Sequence, residues 1–349
     1  MNHPHGKPLL IWAGVLVLLA PAFFLLATRF GYSSEPGAPF IYPDTLHHAG
    51  HKLFVHQWSE QEGLGPFFNQ NSCVACHNQP NPGGGGTRIE QFAVHVERNK
   101  RDSTGTFYPK FHLTQQGLDT IPLHSTARLR RPQTLYTIAS LDAISDTTIL
   151  QLADAFDLDN DGITGRAIQT SEGVGRYGWK GRIARLNQFV RIAFQNEMGI
   201  TDDEIDSNQI IQTVQLLHDL NEVNRYEPTT DFSEGRSLFN QLGCGFCHME
   251  QLPDSNGKPV YTYSDLLVHD MGKILDEGFD DGEVKGPEFR TALLTNLGRT
   301  PPPYLHDGSA ANLRQAIEKH GGEATTSIRA WHSLSNGEQK DLLKFLRNL

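Results

Sequence analysis

Cys73-Val-Ala-Cys76-His77 and Cys244-Gly-Phe-Cys247-His248 are two copies of one pattern, and their reading decides the fold. In C-x-x-C-H the two thiols can each take a haem vinyl group, and the adjacent imidazole can ligate the iron. The chain of 349 residues has four cysteines, all of them in these motifs. None is left for a disulfide, a zinc site or a nucleophilic thiol. One copy alone is open to a zinc or dithiol reading. Two copies that use every cysteine point to two covalently bound c-type haems, with His77 and His248 as proximal ligands.

Length alone allows roughly two domains. The net charge of −10, from 30 basic and 40 acidic residues, argues against nucleic acid as a partner. It is compatible with steering toward a basic electron donor, and also with plain solubility. The N-terminus departs from this composition. Leu9 to Ala27 carries no charge, with Lys7 before it and Arg29 after it. The stretch is borderline for a membrane span and long for the core of a cleaved signal peptide. Pro21 is tolerated in a membrane helix, and no clear small-x-small cleavage site follows. Residues 1–30 therefore read as an uncleaved signal anchor in the inner membrane, with a cleaved signal and a soluble periplasmic protein as the alternative. Export agrees with the motifs, because bacteria attach haem to C-x-x-C-H outside the cytoplasm. Residues 31–44, rich in Ser, Gly and Pro, read as a linker.

The remainder divides into an N-terminal haem domain over 45–225 and a C-terminal cytochrome c-like haem domain over 226–349. The fold class is mainly α: two cytochrome c-like domains, the first enlarged by an insertion, plus the membrane helix. Before the second motif, Asp231 to Gly243 reads as a helix with its N-cap at Asp231 or Ser233. At the far end, Ser335-x-x-Glu338 is a capping box. Leu342, Leu343, Phe345, Leu346 and Leu349 follow it at helical spacing. A helix before the haem motif that packs on a C-terminal helix is the cytochrome c arrangement. In the first domain, His47–Gln61, Ile183–Phe194 and Asp202–Asn224 read as helices. Pro80–Gly86 reads as a loop, and residues 88–113 alternate enough to suggest a short β-hairpin.

Several stretches together resemble one family. They are Gly63-Leu-Gly-Pro-Phe-Phe-Asn-Gln-Asn-Ser-Cys-Val-Ala-Cys-His77, Asp159-Asn-Asp-Gly-Ile-Thr-Gly-Arg166, Gly175-Arg-Tyr-Gly-Trp-Lys180, Asn196-Glu-Met-Gly-Ile-Thr201, Tyr263-Ser-Asp-Leu-Leu-Val-His-Asp-Met-Gly272 and His320-Gly-Gly-Glu-Ala324. The chain resembles the bacterial di-haem cytochrome c peroxidase superfamily, which also includes the di-haem enzyme that matures the tryptophan cofactor of methylamine dehydrogenase. Within it the nearest likeness is to the di-haem oxidoreductases, sometimes labelled thiol oxidoreductases. The resemblance covers roughly residues 45–349 and rests on the combination of motifs.

The peroxidases carry Trp-x-Gly-Arg, then Leu, Gln and Glu-Met. Here Trp179-Lys-Gly-Arg182 is followed by Leu186, Gln188 and Glu197-Met198. The resemblance makes Trp179 the ring between the haems. It makes Glu197 the acid–base group at the N-terminal haem, with Gln188 beside it. Splitting a peroxide requires its proton to move from one oxygen to the other, and one positioned carboxylate can do this. The spacing from Gln188 to Glu197 is one residue shorter than in typical peroxidases.

For the sixth ligand of the C-terminal iron, the peroxidases use a Met after a Tyr-x-His-Asp-Gly motif. Here Tyr304-Leu-His-Asp-Gly308 is present, and His320 stands where that Met is expected. His320 is favoured, Met271 is its rival and Met198 a weaker third. A His–His haem has a lower potential than a His–Met one, which departs from the peroxidase pattern. At the N-terminal haem, His124 is the nearest analogue of the displaceable ligand, with His95 and His112 as alternatives, and the position can also be open.

Asp157, Asp159 and Asp161 occupy positions one, three and five of an EF-hand-like loop, with Gly162 at six. Position twelve is Ile168 rather than Glu. The choices are a calcium site completed from elsewhere and an Asx-rich turn.

The expected activity is reduction of hydrogen peroxide or another small substrate at the N-terminal haem. Electrons would arrive through the C-terminal haem from a small cytochrome, a cupredoxin or a quinol-linked chain. The alternatives are a di-haem electron-transfer cytochrome without substrate, and a di-haem oxidase acting on a protein or organic substrate. Thiol oxidation has no support, since no cysteine is left free.

Overall fold

The computed structural model describes residues 49–86, 93–95, 106–108, 110–120, 128–229 and 231–349. The expected anchor over 1–30, the linker over 31–44 and His124 lie outside the described residues. Among the described residues no helix is long and apolar enough to cross a membrane.

Helix α1 (Ala49–Val55) opens the described chain and is shorter than the stretch expected from 47 to 61, which breaks after Val55. Strand β1 (Phe67–Phe68) leads into helix α2 (Cys73–Cys76), the first motif. The expected hairpin is present as β2 (Ala93–His95) and β3 (Thr106–Tyr108), paired antiparallel. A second hairpin follows, β4 (Phe111–Thr114) and β5 (Gly117–Thr120), and β4 also pairs with β1, setting Phe68 opposite Phe111. Strand β6 (Arg128–Leu129) adds to β2. Then come α3 (Asp146–Leu152), the strand pair β7 (Gln169–Thr170) and β8 (Gly173–Val174), α4 (Leu186–Met198) and α5 (Ser207–Val223).

Two of these helices begin later than the apolar spacing suggests, each for a local reason. Ile183 is bridged to Tyr177, and its carbonyl accepts the amides of Arg176 and Tyr177, so the helix cannot begin before α4 does at Leu186. Asp206 and Gln209 form a capping box that starts α5 at Ser207, while Thr201 and Glu204 close a separate turn. Leu186, Val190, Phe194 and Met198 recur every fourth residue, so α4 buries one stripe. The helix stops at Gly199, whose φ of +70° suits glycine. A Cβ there would also fall 2.5 Å from the carbonyl oxygen of Phe67.

The second half contributes α6 (Ser233–Gln241) and α7 (Cys244–Cys247), the second motif. Neither Asp231 nor Ser233 is the N-cap of α6. Phe232, in left-handed conformation, precedes the helix with no side-chain cap, and Ser233 is its first residue. Two antiparallel pairs follow, β9 (Gln251–Pro253) with β10 (Pro259–Tyr261), and β11 (Val268–Asp270) with β12 (Glu288–Arg290). Helices α8 (Leu313–Glu318), α9 (Thr325–Ser333) and α10 (Asn336–Leu346) complete the chain. The Ser335–Glu338 capping box starts α10 as expected.

One core gathers around α1, α4 and α5, and draws Leu252, Leu266 and Leu267 from the second half. A second core joins Phe239 of α6, Tyr263, Trp331 of α9, and Leu342, Phe345 and Leu346 of α10. Helices α6 and α10 touch so closely that a Cβ on Gly235 would lie 2.4 Å from the carbonyl oxygen of Asp341.

Candidate functional site

In the first motif, the amide of His77 closes α2 by donating to the carbonyl of Cys73 at 3.0 Å. Its ring Nδ1 lies 3.0 Å from the carbonyl oxygen of Gln133. A carbonyl only accepts, so the proton sits on Nδ1 and the Nε2 lone pair is free for a metal. Burial pushes His77 down to about 4, which keeps the ring neutral. Burial likewise pushes Cys73 up to about 12, and it raises Cys76, where a nearby Glu197 carboxylate adds to the effect.

Glu197, at the C-terminal end of α4, therefore stands beside the first motif. Burial pushes it up to about 7, against the pull of a hydrogen bond from Asn69 Nδ2 to its Oε2 at 2.8 Å. Asn69 is 1% exposed and lies four residues before Cys73. Its backbone amide, with that of Gln70, donates to the Glu197 carbonyl at 2.7 and 3.2 Å.

Gln188 is not beside Glu197. The two lie nine residues apart on one unbroken helix, roughly 13 Å along its axis. The side-chain oxygen of Gln188 is buried there without a partner. Met198 faces the first core at 3% exposure. His112 stacks on Phe67 with ring centroids 4.3 Å apart. The side chain of His95, like His124, lies outside the described residues.

At the second motif, Gly243 takes a φ of +81° directly before Cys244. His248 repeats the pattern of His77: Nδ1 meets the Tyr263 carbonyl at 2.9 Å and burial pushes the ring down to about 4. A cavity of about 280 Å³ lies against Cys244, Cys247 and His248. It exceeds the roughly 30 Å³ share of one water many times over, so it is a built space and not a packing flaw. His320, Met271 and Trp179 line it too. His320 Nδ1 meets the carbonyl of Ala316 at 2.7 Å, which leaves a third free Nε2. Burial lowers His320, and a charge on it would disfavour one on His248, so the two imidazoles share one neighbourhood.

Two guanidinium groups line the same cavity with carbonyls as their hydrogen-bond acceptors. Arg131 donates to Gly86 and Pro301, and Arg290 to Gly178 and Thr291. Both are buried, which pushes each down to about 10. Nearby, Arg130 holds Glu277 through two bonds of 2.6 and 2.8 Å, with Lys180 3.2 Å from the same carboxylate. His269 lies between Asp265 and Glu323, at 2.9 and 2.7 Å. Burial opposes charge on that ring, but the hydrogen bonds prevail and push it up to about 12. Glu323 also accepts the amide and hydroxyl of Thr164.

Between the motifs runs Arg131-Pro132-Gln133, and each of its carbonyls is used. Arg131 accepts Trp179 Nε1 at 3.0 Å, Pro132 accepts Gly86 N at 3.4 Å and Gln133 accepts His77 Nδ1 at 3.0 Å. Trp179 thus touches the second cavity and is three backbone units from the first imidazole.

The acidic loop groups differently from the expected set. Ligand atoms of Asp154, Asp157 and Asp159 lie within 4.8 Å of one another. Asp161 turns away and accepts the amide of Ile163 at 2.8 Å.

Sequence reasoning passed over Asn69, Arg131, Gln133, Arg290 and the His269 group. The signal for Asn69 was present: a polar residue between two phenylalanines and a haem motif.

A solved structure of hydrazine synthase from Kuenenia stuttgartiensis, pressurised with xenon, is similar over 92% of this chain and 99% of that one, at 14% identity. Its TM-score of 0.41 is too low to carry any argument. No curated protein matches the chain. Residues 207–349, which hold the second motif and His320, match the family model described as "Di-haem oxidoreductase, putative peroxidase", the family that the motifs resemble.

Proposed function

We propose that the chain is a periplasmic di-haem c-type oxidoreductase of two cytochrome c-like domains, 45–225 and 226–349, that reduces hydrogen peroxide at the first motif. The residues fit such a group. His77, His248 and His320 each present a free Nε2, because Nδ1 is tied to a carbonyl. The second cavity holds two buried cations with no carboxylate bound to them among the described residues, as the two propionates of a haem would require. Haem, when bound, supplies the redox chemistry by which electrons reach the peroxide.

The observation that carries the reading is an asymmetry between the two motifs. The first has a carboxyl poised near neutrality, Glu197; the second has two imidazoles. A group with its midpoint near the working pH can take a proton from one peroxide oxygen and return it to the other. His248 and His320 in one cavity suit an electron-transfer centre closed to substrate. Trp179 suits a relay, since it meets the second cavity and the strap that holds His77.

The proposal includes a small basic electron donor, a cytochrome or cupredoxin, export, and anchoring of the chain by Leu9–Ala27. It also includes calcium at Asp154, Asp157 and Asp159. The rival reading, an electron carrier without substrate, draws on the His248–His320 pair but leaves Glu197 without a task.

Glu197→Gln on the haem-loaded protein tests the reading. Peroxide turnover should fall by about 10² to 10⁴ while haem content stays unchanged. Turnover equal to the parent protein's would remove Glu197 from the reaction and favour the carrier.

A further inference from the structure

We propose that Asn69 is the positioning residue for Glu197, and that it fixes which of the two carboxyl oxygens carries the proton. The inference rests on the reading of Glu197 as the acid–base group. Its geometry stands apart from that reading.

The orientation of the Asn69 amide is settled by its other partner. Asn69 Oδ1 accepts the backbone amide of Lys110 at 2.9 Å. A backbone N–H can only donate, so the oxygen of the side chain must face Lys110. The group turned toward Glu197 is then Nδ2, a donor. It donates to Oε2 at 2.8 Å. An oxygen that accepts from Nδ2 along this line is disfavoured as the site of the carboxyl proton. The proton that Glu197 gains or gives up therefore resides on Oε1, and only Oε1 is free to trade it with a substrate.

The same residue fixes where that oxygen lies. Asn69 holds Glu197 at both ends, by its amide on the main-chain carbonyl and by its side chain on the carboxyl. Glu197 is the penultimate residue of α4, where carbonyls lose their helical partners. Asn69 supplies one such partner and is itself four residues from Cys73. The carboxyl is thus held in register with the haem motif across 128 residues of sequence. The titratable groups that bear on this corner are Cys76 from α2 and Lys110 from the segment before β4.

Asn69→Asp is the discriminating variant. It has the same size, keeps an oxygen for Lys110 and replaces the donor with a second carboxyl. Two carboxyls at hydrogen-bond distance cannot both ionise readily. Asn69→Ala removes the donor to Glu197, and with it the acceptor of the Lys110 amide, without adding a charge. Both are to be made in the haem-loaded chain and compared with Glu197→Gln by two readouts. One is the pH profile of the reaction with peroxide. The other is the infrared carbonyl stretch of the protonated carboxyl, identified as the band that Glu197→Gln removes.

The expected result is an acid limb moved to higher pH in both variants, further in Asn69→Asp. An upward move by one pH unit makes the rate at acid pH about tenfold lower. The infrared band should persist to the same higher pH, with haem content unchanged. A limb and a band at their parent positions in both variants would overturn the proposal. If Glu197→Gln leaves the peroxide reaction intact, the functional reading fails, and the infrared band still decides the role of Asn69.

Discussion

At the scale of single residues, the state of Glu197 sets a pH dependence with a definite sign. Its folded midpoint of about 7 lies above the ordinary glutamate value of about 4.3. Between those values the folded chain holds a proton that the unfolded chain has lost. Stability contributed by this group is therefore present at low pH and declines as pH rises through that window. Melting temperatures of the parent protein and of Glu197→Gln should differ in their slope from about pH 4 to 7, with the parent falling more steeply. The activity runs the other way: proton uptake by Glu197 needs the ionised form, so turnover should decline as pH falls below about 7. The second motif yields a separate prediction. His320→Ala should turn one low-spin haem signal into a high-spin one in electron paramagnetic resonance, and Met271→Ala should leave the spectrum unaltered. The reverse pattern would assign Met271. His320 was legible because it stands at a known distance from a recognisable motif. The pairing of Asn69 with Glu197 was not, because the two are remote in sequence and only the packing of α4 against the β1 segment brings them together. Gln188 shows the opposite error: closeness of a motif along the sequence is not closeness in space once an unbroken helix runs through it.

At the scale of elements, periodic helices were easy to foresee and their first residues were not. The apolar stripe of α4 is visible in the sequence, but its start is set by the bridge between Tyr177 and Ile183. The stripe of α10 and its capping box agree with each other, and the capping box marks the start; the helix ends at Leu346, short of the stripe's last member Leu349. The crossing of α6 and α10 depends on Gly235, which no periodicity reveals. Gly235→Val would drive methyl groups into the main chain at Asp341 and into Phe345, whose Cβ would be 2.5 Å from a Cβ at this position. Overpacking of this kind costs about 1–3 kcal/mol. Because α6 leads directly into the second motif, the expected outcome is a lower melting temperature and loss of roughly one of two haems by pyridine haemochrome assay. Full haem content in this variant would show that the motif is formed independently of the crossing.

At the scale of the whole molecule, distant segments are joined by a few buried polar groups. The loop after Asp154 ends at Thr164, whose amide and hydroxyl reach Glu323 three residues beyond His320. Arg166 then holds Glu288 at 2.6 Å. A cation at Asp154, Asp157 and Asp159 would stiffen a segment already tied to the distal side of the second cavity. Chelation is therefore expected to lower the melting temperature, and calcium to restore it; an unchanged value would assign the loop as a plain turn. The strap at Arg131–Gln133 has a consequence of another kind. His77 and Trp179 hang from carbonyls on one short beam, and the Arg131 side chain pins that beam to Gly86 and Pro301. A tilt imposed at either end is transmitted to the other. The proximal imidazole of one centre and the ring at the door of the other must then be tuned together, and a substitution at 131, 132 or 133 should leave its mark on both spectra at once.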